Sequence, residues 1–75
     1  MRLPKHLTDS LVRSEWKKES SNDWVKDGIL LSIYPSSMGR MYKVGYETAT
    51  KSGNDLVHID RLTRIIEGKE KPNVR

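Results

Sequence analysis

The sequence predicts a mainly β fold with an N-terminal helix, built as a small barrel or a strongly bent antiparallel sheet. Two observations lead there. Between residues 28 and 66 three apolar runs are each closed by a polar or turn-forming segment. Ahead of them, Leu7, Leu11, Val12 and Trp16 recur at helical spacing. Short runs rich in β-branched and aromatic residues, bounded by Gly, Pro, Ser and Asn, are the pattern of a small all-β unit.

The helix is expected within residues 7–20. Thr8 or Asp9 is placed to cap it, and Asp9 suits the positive helix start. Glu15 can pair with Lys18 three residues on. The polar stretch Ser20-Ser21-Asn22-Asp23 ends the helix, which is expected to dock on the sheet through Trp16.

The β module is expected over 24–67. In Trp24-Val25-Lys26-Asp27-Gly28-Ile29, Asp-Gly between apolar runs suits a type I′ hairpin, because both central residues need positive φ. A helical turn over 22–27 ended by Gly28 is the rival arrangement. The hairpin fits better, since the β-rich run starts directly after Gly28. The first long strand is Ile29-Leu30-Leu31-Ser32-Ile33-Tyr34, stopped at Pro35-Ser36-Ser37-Met38-Gly39. The next is Met41-Tyr42-Lys43-Val44-Gly45-Tyr46, stopped by the polar run 48–54. Alternation puts Ile29, Leu31 and Ile33 on one face of the first, and Tyr42, Val44 and Tyr46 on one face of the second. Gly45 inside a strand suggests a bulge or bend. In Leu56-Val57-His58-Ile59, Val57 and Ile59 share a face. The expected core is Ile29, Leu31, Ile33, Val44, Val57, Ile59, Leu62 and one of Ile65 or Ile66.

The last segment fits two descriptions. Ile59, Leu62 and Ile66 match a helix ending at Gly68, while Thr63, Arg64, Ile65 and Ile66 match a strand. Their β-branched content favours a tight turn at Asp60-Arg61-Leu62 followed by a strand. Residues 1–68 then form one domain, and 69–75 read as a charged, flexible, solvated tail.

Composition narrows the function classes. Seventy-five residues make one small core, and without cysteine neither disulfides nor thiolate metal sites support it. Stability must come from tight packing or from self-association into a homo-oligomer. No apolar run reaches the roughly 20 residues that span a bilayer, so no membrane partner is expected. The N-terminus has no signal-peptide pattern, and the expected compartment is the cytosol, hence a cytoplasmic protein. The net charge is +4, with half of the excess in residues 68–75. A basic balance points to nucleic acid or another polyanion.

The stretch 28–66 resembles the SH3-like barrels. It is similar to Tudor-type and KOW-type modules in its hairpin, its long polar loop and its closing Val57-x-Ile59 and Leu62-x-x-Ile65 pattern. It also looks like the plasmid-borne type II dihydrofolate reductases through Gly28-Ile29, Tyr34, Tyr42-Lys43-Val44, Glu47, Val57-His58-Ile59 and Leu62-Thr63-Arg64-Ile65. The resemblance covers about half of the chain and implies the barrel fold. That reductase family works with a Val-Gln-Ile-Tyr motif repeated around a tetrameric pore. Here Val57-His58-Ile59-Asp60 stands in its place, and Asp60 would repel an anionic cofactor. Reductase activity is not expected to carry over.

Catalytic patterns are weak. His6 and His58 are too few and too isolated for a metal site, and no cofactor is expected. His58-x-Asp60 could orient a general base on one strand face, but two polar residues on a solvent face explain it as well. The serines lack a nucleophile-elbow pattern, and Thr50-Lys51-Ser52-Gly53 lacks P-loop spacing. The chain is therefore expected not to be an enzyme. The strongest constellation is Arg40-x-Tyr42-Lys43-x-x-Tyr46, in a stretch with no acid from Tyr34 to Tyr46. Aromatic faces stack bases while cations meet phosphates. Lys51, Arg61 and Arg64 could extend this patch. The leading expectation is a nucleic-acid-binding accessory or regulatory protein, with DNA and RNA both open. The alternative is a protein–protein interaction module, an inhibitor or adaptor of phage or mobile-element type, docking through a sheet edge or through Trp16 and Trp24.

Overall fold

A computed structural model describes residues 3–72. The chain runs α1 (Lys5–Arg13), β1 (Lys17–Lys18), β2 (Asp23–Lys26), β3 (Ile29–Pro35), β4 (Met41–Glu47), β5 (Ser52–His58) and α2 (Ile59–Ile66). The strands form one antiparallel sheet in the order β1-β2-β3-β4-β5. Of the two forms expected, the sheet takes the open one, with β1 and β5 as its edges. Both helices lie on one face, where Leu7 and Leu11 of α1 and Ile59, Leu62, Ile65 and Ile66 of α2 join the inward residues of the strands in one core. No helix among the described residues is long and apolar enough to cross a membrane.

The hairpin at Asp27-Gly28 forms as expected. Asp27 has φ 51° and Gly28 φ 77°, and Lys26 pairs with Ile29 across the two-residue turn. The predicted faces of β3 and β4 hold as well: Leu31, Ile33 and Val44 are buried, with Ile29 packed against them. Val57 is buried from β5, but Ile59, expected on the same strand face, is the first residue of α2 and is buried from the helix, as is Leu62. Tyr42 is buried on this face and Tyr46 packs against it. Both Ile65 and Ile66 are buried, where one was expected.

Three expectations are corrected. First, α1 ends at Arg13 and not near residue 20, and Pro4, rather than Thr8 or Asp9, stands at its N-cap. Glu15 takes a left-handed conformation at φ 68°. Its N–H donates to the Val12 carbonyl, and the Trp16 N–H donates to that of Leu11. These two bonds make a Schellman termination, usually built on glycine. Trp16 therefore leaves the helix and enters the core, where its Nε1–H donates to the Ile66 carbonyl at 2.9 Å. The expected Glu15–Lys18 helical pair does not arise, because neither residue is in the helix.

Second, residues 59–66 are helix and not a turn followed by a strand. Ile59, Leu62, Ile65 and Ile66 bury one face while Asp60 and Arg64 stay exposed, and covering the sheet outweighs the β preference of the isoleucines. Gly68 (φ 78°) ends α2 with the same termination, its N–H bonding to the Ile65 carbonyl and that of Lys69 to Arg64. Third, Gly45 is no bulge. It pairs in register with Ser32 and Asn54. A Cβ there would meet the Ser32 Cβ at 3.2 Å and the Asn54 Oδ1 at 3.4 Å, so glycine serves the close approach of its cross-strand neighbours.

Of the expected tail, residues 69–72 are described. Glu70 pairs with Arg61 and Arg64, and Pro72 is buried. Residues 73–75 lie outside the described residues.

A domain of this size holds about 4–11 kcal/mol of stability. Val44→Ala should lower it by about 1–3 kcal/mol, because it empties fully buried volume. Gly28→Ala should cost about 1–2 kcal/mol by forcing a side chain into the left-handed region. Urea denaturation measures both. An unchanged midpoint for Gly28→Ala would contradict the type I′ geometry.

Candidate nucleic-acid interface

The two helices cover one face of the sheet and leave the other open. Strand alternation sends Leu30, Ser32 and Tyr34 of β3, Met41, Lys43, Gly45 and Glu47 of β4, and Asn54, Leu56 and His58 of β5 to this outer face. Register aligns them in rows. Tyr34 stands opposite Lys43, which stands opposite Leu56. Met41 stands opposite His58 in the next row. Tyr34 is 45% exposed and Leu56 43%. The β3–β4 turn adds the exposed Met38 and Arg40 at the same end of the sheet. The one acid on the outer face of β4 is Glu47, at the opposite end.

A shallow depression of about 330 Å³ lies over Gly45, bordered by Leu30, Ser32, Tyr34, Glu47 and Asn54. The Ser32 hydroxyl donates to the Asp23 carboxylate at 2.7 Å, and the Ser20 hydroxyl donates to the same group at 2.8 Å. These two bonds, that from Ser32 the stronger, hold the Asp23 carboxyl below its ordinary value.

The residues singled out in the sequence divide between several places. Lys43 lies on the open face and Arg40 in the turn beside it. Tyr42 points inward and is only 7% exposed, so its ring is a core element and presents no stacking surface. Lys51 is exposed in the β4–β5 turn, a tight loop in which Thr48 Oγ1 accepts the N–H groups of Thr50 and Lys51. Arg61 and Arg64 belong to α2, on the other side of the sheet. Arg61 pairs with Asp55, at 3.2 Å, and with Glu70; Arg64 pairs with Glu70 at 3.0 Å. These ion pairs, first that with Arg61 and then that with Arg64, hold the Glu70 carboxyl below its ordinary value near 4.5.

Sequence reasoning passed over Tyr34, Leu56 and Met38. A hairpin register drawn through the 36–40 turn would have set Tyr34 against Lys43. His58 and Asp60 do not share a strand face. His58 is the N-cap of α2, its Nδ1 accepting the Asp60 N–H at 3.2 Å, which is a structural use of the pair. Trp16 and Trp24 are 8% and 6% exposed, so neither offers an anchor to a partner. Among the described residues no three His, Cys, Asp or Glu side chains gather at metal-binding distance.

Comparison with known proteins finds no matching family model, no matching curated protein and no matching solved structure.

Acidification should destabilise the fold through Asp23 and Glu70. Both carboxyls have lowered folded-state pKa values, so their contribution is complete at neutral pH and is lost as pH falls from the ordinary carboxylate range through those lowered values. Glu70→Gln should shrink the drop in Tm between pH 7 and pH 3, as read by circular dichroism. An identical drop in the variant would show that the Arg61–Glu70–Arg64 cluster contributes nothing in solution.

Proposed function

We propose that the chain is a small non-catalytic module that binds single-stranded nucleic acid on the open face of its sheet. One observation carries this reading: an exposed tyrosine and a lysine stand side by side across β3 and β4, with no acid in their row. Tyr34 offers a flat ring on which a base can stack, at a typical gain of about 1–3 kcal/mol. Lys43 and Arg40 supply the cations that follow the phosphates. The depression over Gly45 gives room for the edge of a base beside Tyr34. An open sheet face suits unstacked bases better than it suits a duplex groove, which usually admits a helix or a two-stranded ribbon. An accessory or regulatory role in the cytosol belongs to the same proposal, as does the finer likeness to SH3-like modules. Arg61 and Arg64, on the helix side of the sheet, have no part in this surface, and Lys51 lies in the turn at its far end.

The exposed Met38 and Leu56 favour a second reading, a protein-docking face on the same patch. Salt separates the two, since released counterions make phosphate binding fall steeply with ionic strength.

Fluorescence anisotropy with single-stranded DNA and RNA at low salt tests the proposal. Tyr34→Ala should weaken binding by about 1–3 kcal/mol and change stability by less than about 0.5 kcal/mol. Arg40→Ala with Lys43→Ala should flatten the log–log salt slope by up to about two units. Absence of binding at tens of micromolar protein, a range that includes nonspecific binders, would overturn the proposal in favour of the protein-docking face.

A further inference from the structure

A second recess lies away from the open face, where the start of α1 meets the β1–β2 turn. It is a cleft of about 710 Å³, walled by Leu3, Lys5 and Thr8 on one side and by Lys18, Ser21, Asn22 and Trp24 on the other. Among the described residues its lining holds two cations and no acid. Neither lysine pairs with a carboxylate among the described residues. The first turn of α1 contains no acidic residue, and Pro4 provides no side-chain cap, so the positive end of the helix dipole is uncompensated beside Lys5.

Trp24 adds an independent sign. Two buried side-chain polar atoms lack a partner among the described residues, the Ser10 hydroxyl and the Trp24 Nε1. Trp24 forms part of the cleft wall and is itself more than nine-tenths buried. Its counterpart, the Trp16 indole, is satisfied by the Ile66 carbonyl. Buried donors in folded proteins are nearly always paired, and an orphan calls for a cause. In the rest of the wall, Thr8 already donates to the Lys5 carbonyl and Asn22 to that of Ile33. Ser21 and one amide hydrogen of Asn22 remain to donate.

We propose that this cleft binds the phosphate group of a small phosphorylated molecule. Lys5 and Lys18 neutralise it, and Ser21, Asn22 and the Trp24 indole donate to its oxygens. Two lysines match the nearly double charge of a phosphomonoester better than the single charge of a nucleic-acid diester. The site shares no residue with the open face, so either can fail without the other.

Proton–nitrogen NMR of the folded chain tests this directly, because the two indole N–H groups give separate signals that nuclear Overhauser contacts assign. Pyrophosphate is titrated to about 10 mM, a range that detects weak sites, at constant ionic strength set with sodium chloride. The Trp24 signal should shift and saturate while the Trp16 signal stays in place. Lys5→Gln with Lys18→Gln should weaken the apparent affinity by about tenfold or more, and undisturbed dispersion of the other amides confirms that the variant is folded. A single-stranded oligonucleotide without terminal phosphate should leave the Trp24 signal unsaturated at equal phosphate concentration. A Trp24 signal that does not saturate, or saturates equally in the double variant, would overturn the proposal. Tighter saturation by the oligonucleotide would overturn the assignment to a small molecule.

Discussion

An antiparallel meander with alternating side chains has one apolar face, and that face must be kept from water. In this chain it carries Trp24, Leu31, Ile33, Tyr42, Val44 and Val57, too much surface for any single short helix. Two helices from opposite ends of the sequence share the task. Their meeting is secured by packing and by one directional bond, from the Trp16 indole to the Ile66 carbonyl. That bond ties the residue just past α1 to the last residue of α2. The arrangement explains why Trp16 must leave the helix, why Glu15 accepts a left-handed backbone, and why a segment rich in isoleucine becomes helical.

The sheet was readable in the sequence because its signals are local. Asp27-Gly28 names its own turn, and period-two alternation in β3 and β4 sorts the core correctly. The helices were less readable, because their limits depend on tertiary demands. The two Schellman terminations show the difference. At Gly68 the residue type announces the left-handed position. At Glu15 nothing in the residue type does, and the helical spacing of apolar residues runs through it to Trp16. For residues 59–66, β propensity and helical periodicity conflicted, and the need to cover the sheet decided. The candidate interface was half readable. Arg40 and Lys43 follow from composition, but the partner of Lys43 follows only from register, which replaces the buried Tyr42 with the exposed Tyr34. The ion pairs of Arg61 and Arg64 with Glu70 join α2 to the charged segment after Gly68, a contact that no local pattern announces.

The two-layer arrangement separates stability from binding. Side chains that hold the fold point toward the helices, while Tyr34, Lys43 and Leu56 point away from them. Residues on the open face can vary with little effect on the core, as is usual for surface positions away from structural features. Gly45 is the exception, since it is flanked tightly by Ser32 and Asn54 and shapes the outer surface from within the ladder.

The order of the strands also governs how the chain reaches this state. Every strand pairs with its neighbour in sequence, so each hairpin closes over a short loop, a topology that folds quickly. The sealing of the apolar face is the opposite kind of event, for the Trp16 to Ile66 bond spans 50 residues. During synthesis the sheet can assemble strand by strand, but its inner face stays without half of its cover until Ile66 has left the ribosome. The interval between the emergence of β5 and that of α2 is therefore when a nascent chain is most exposed to sticking to its neighbours. The direct junction at His58, where β5 passes into α2 without a loop, keeps that interval as short as the chain allows.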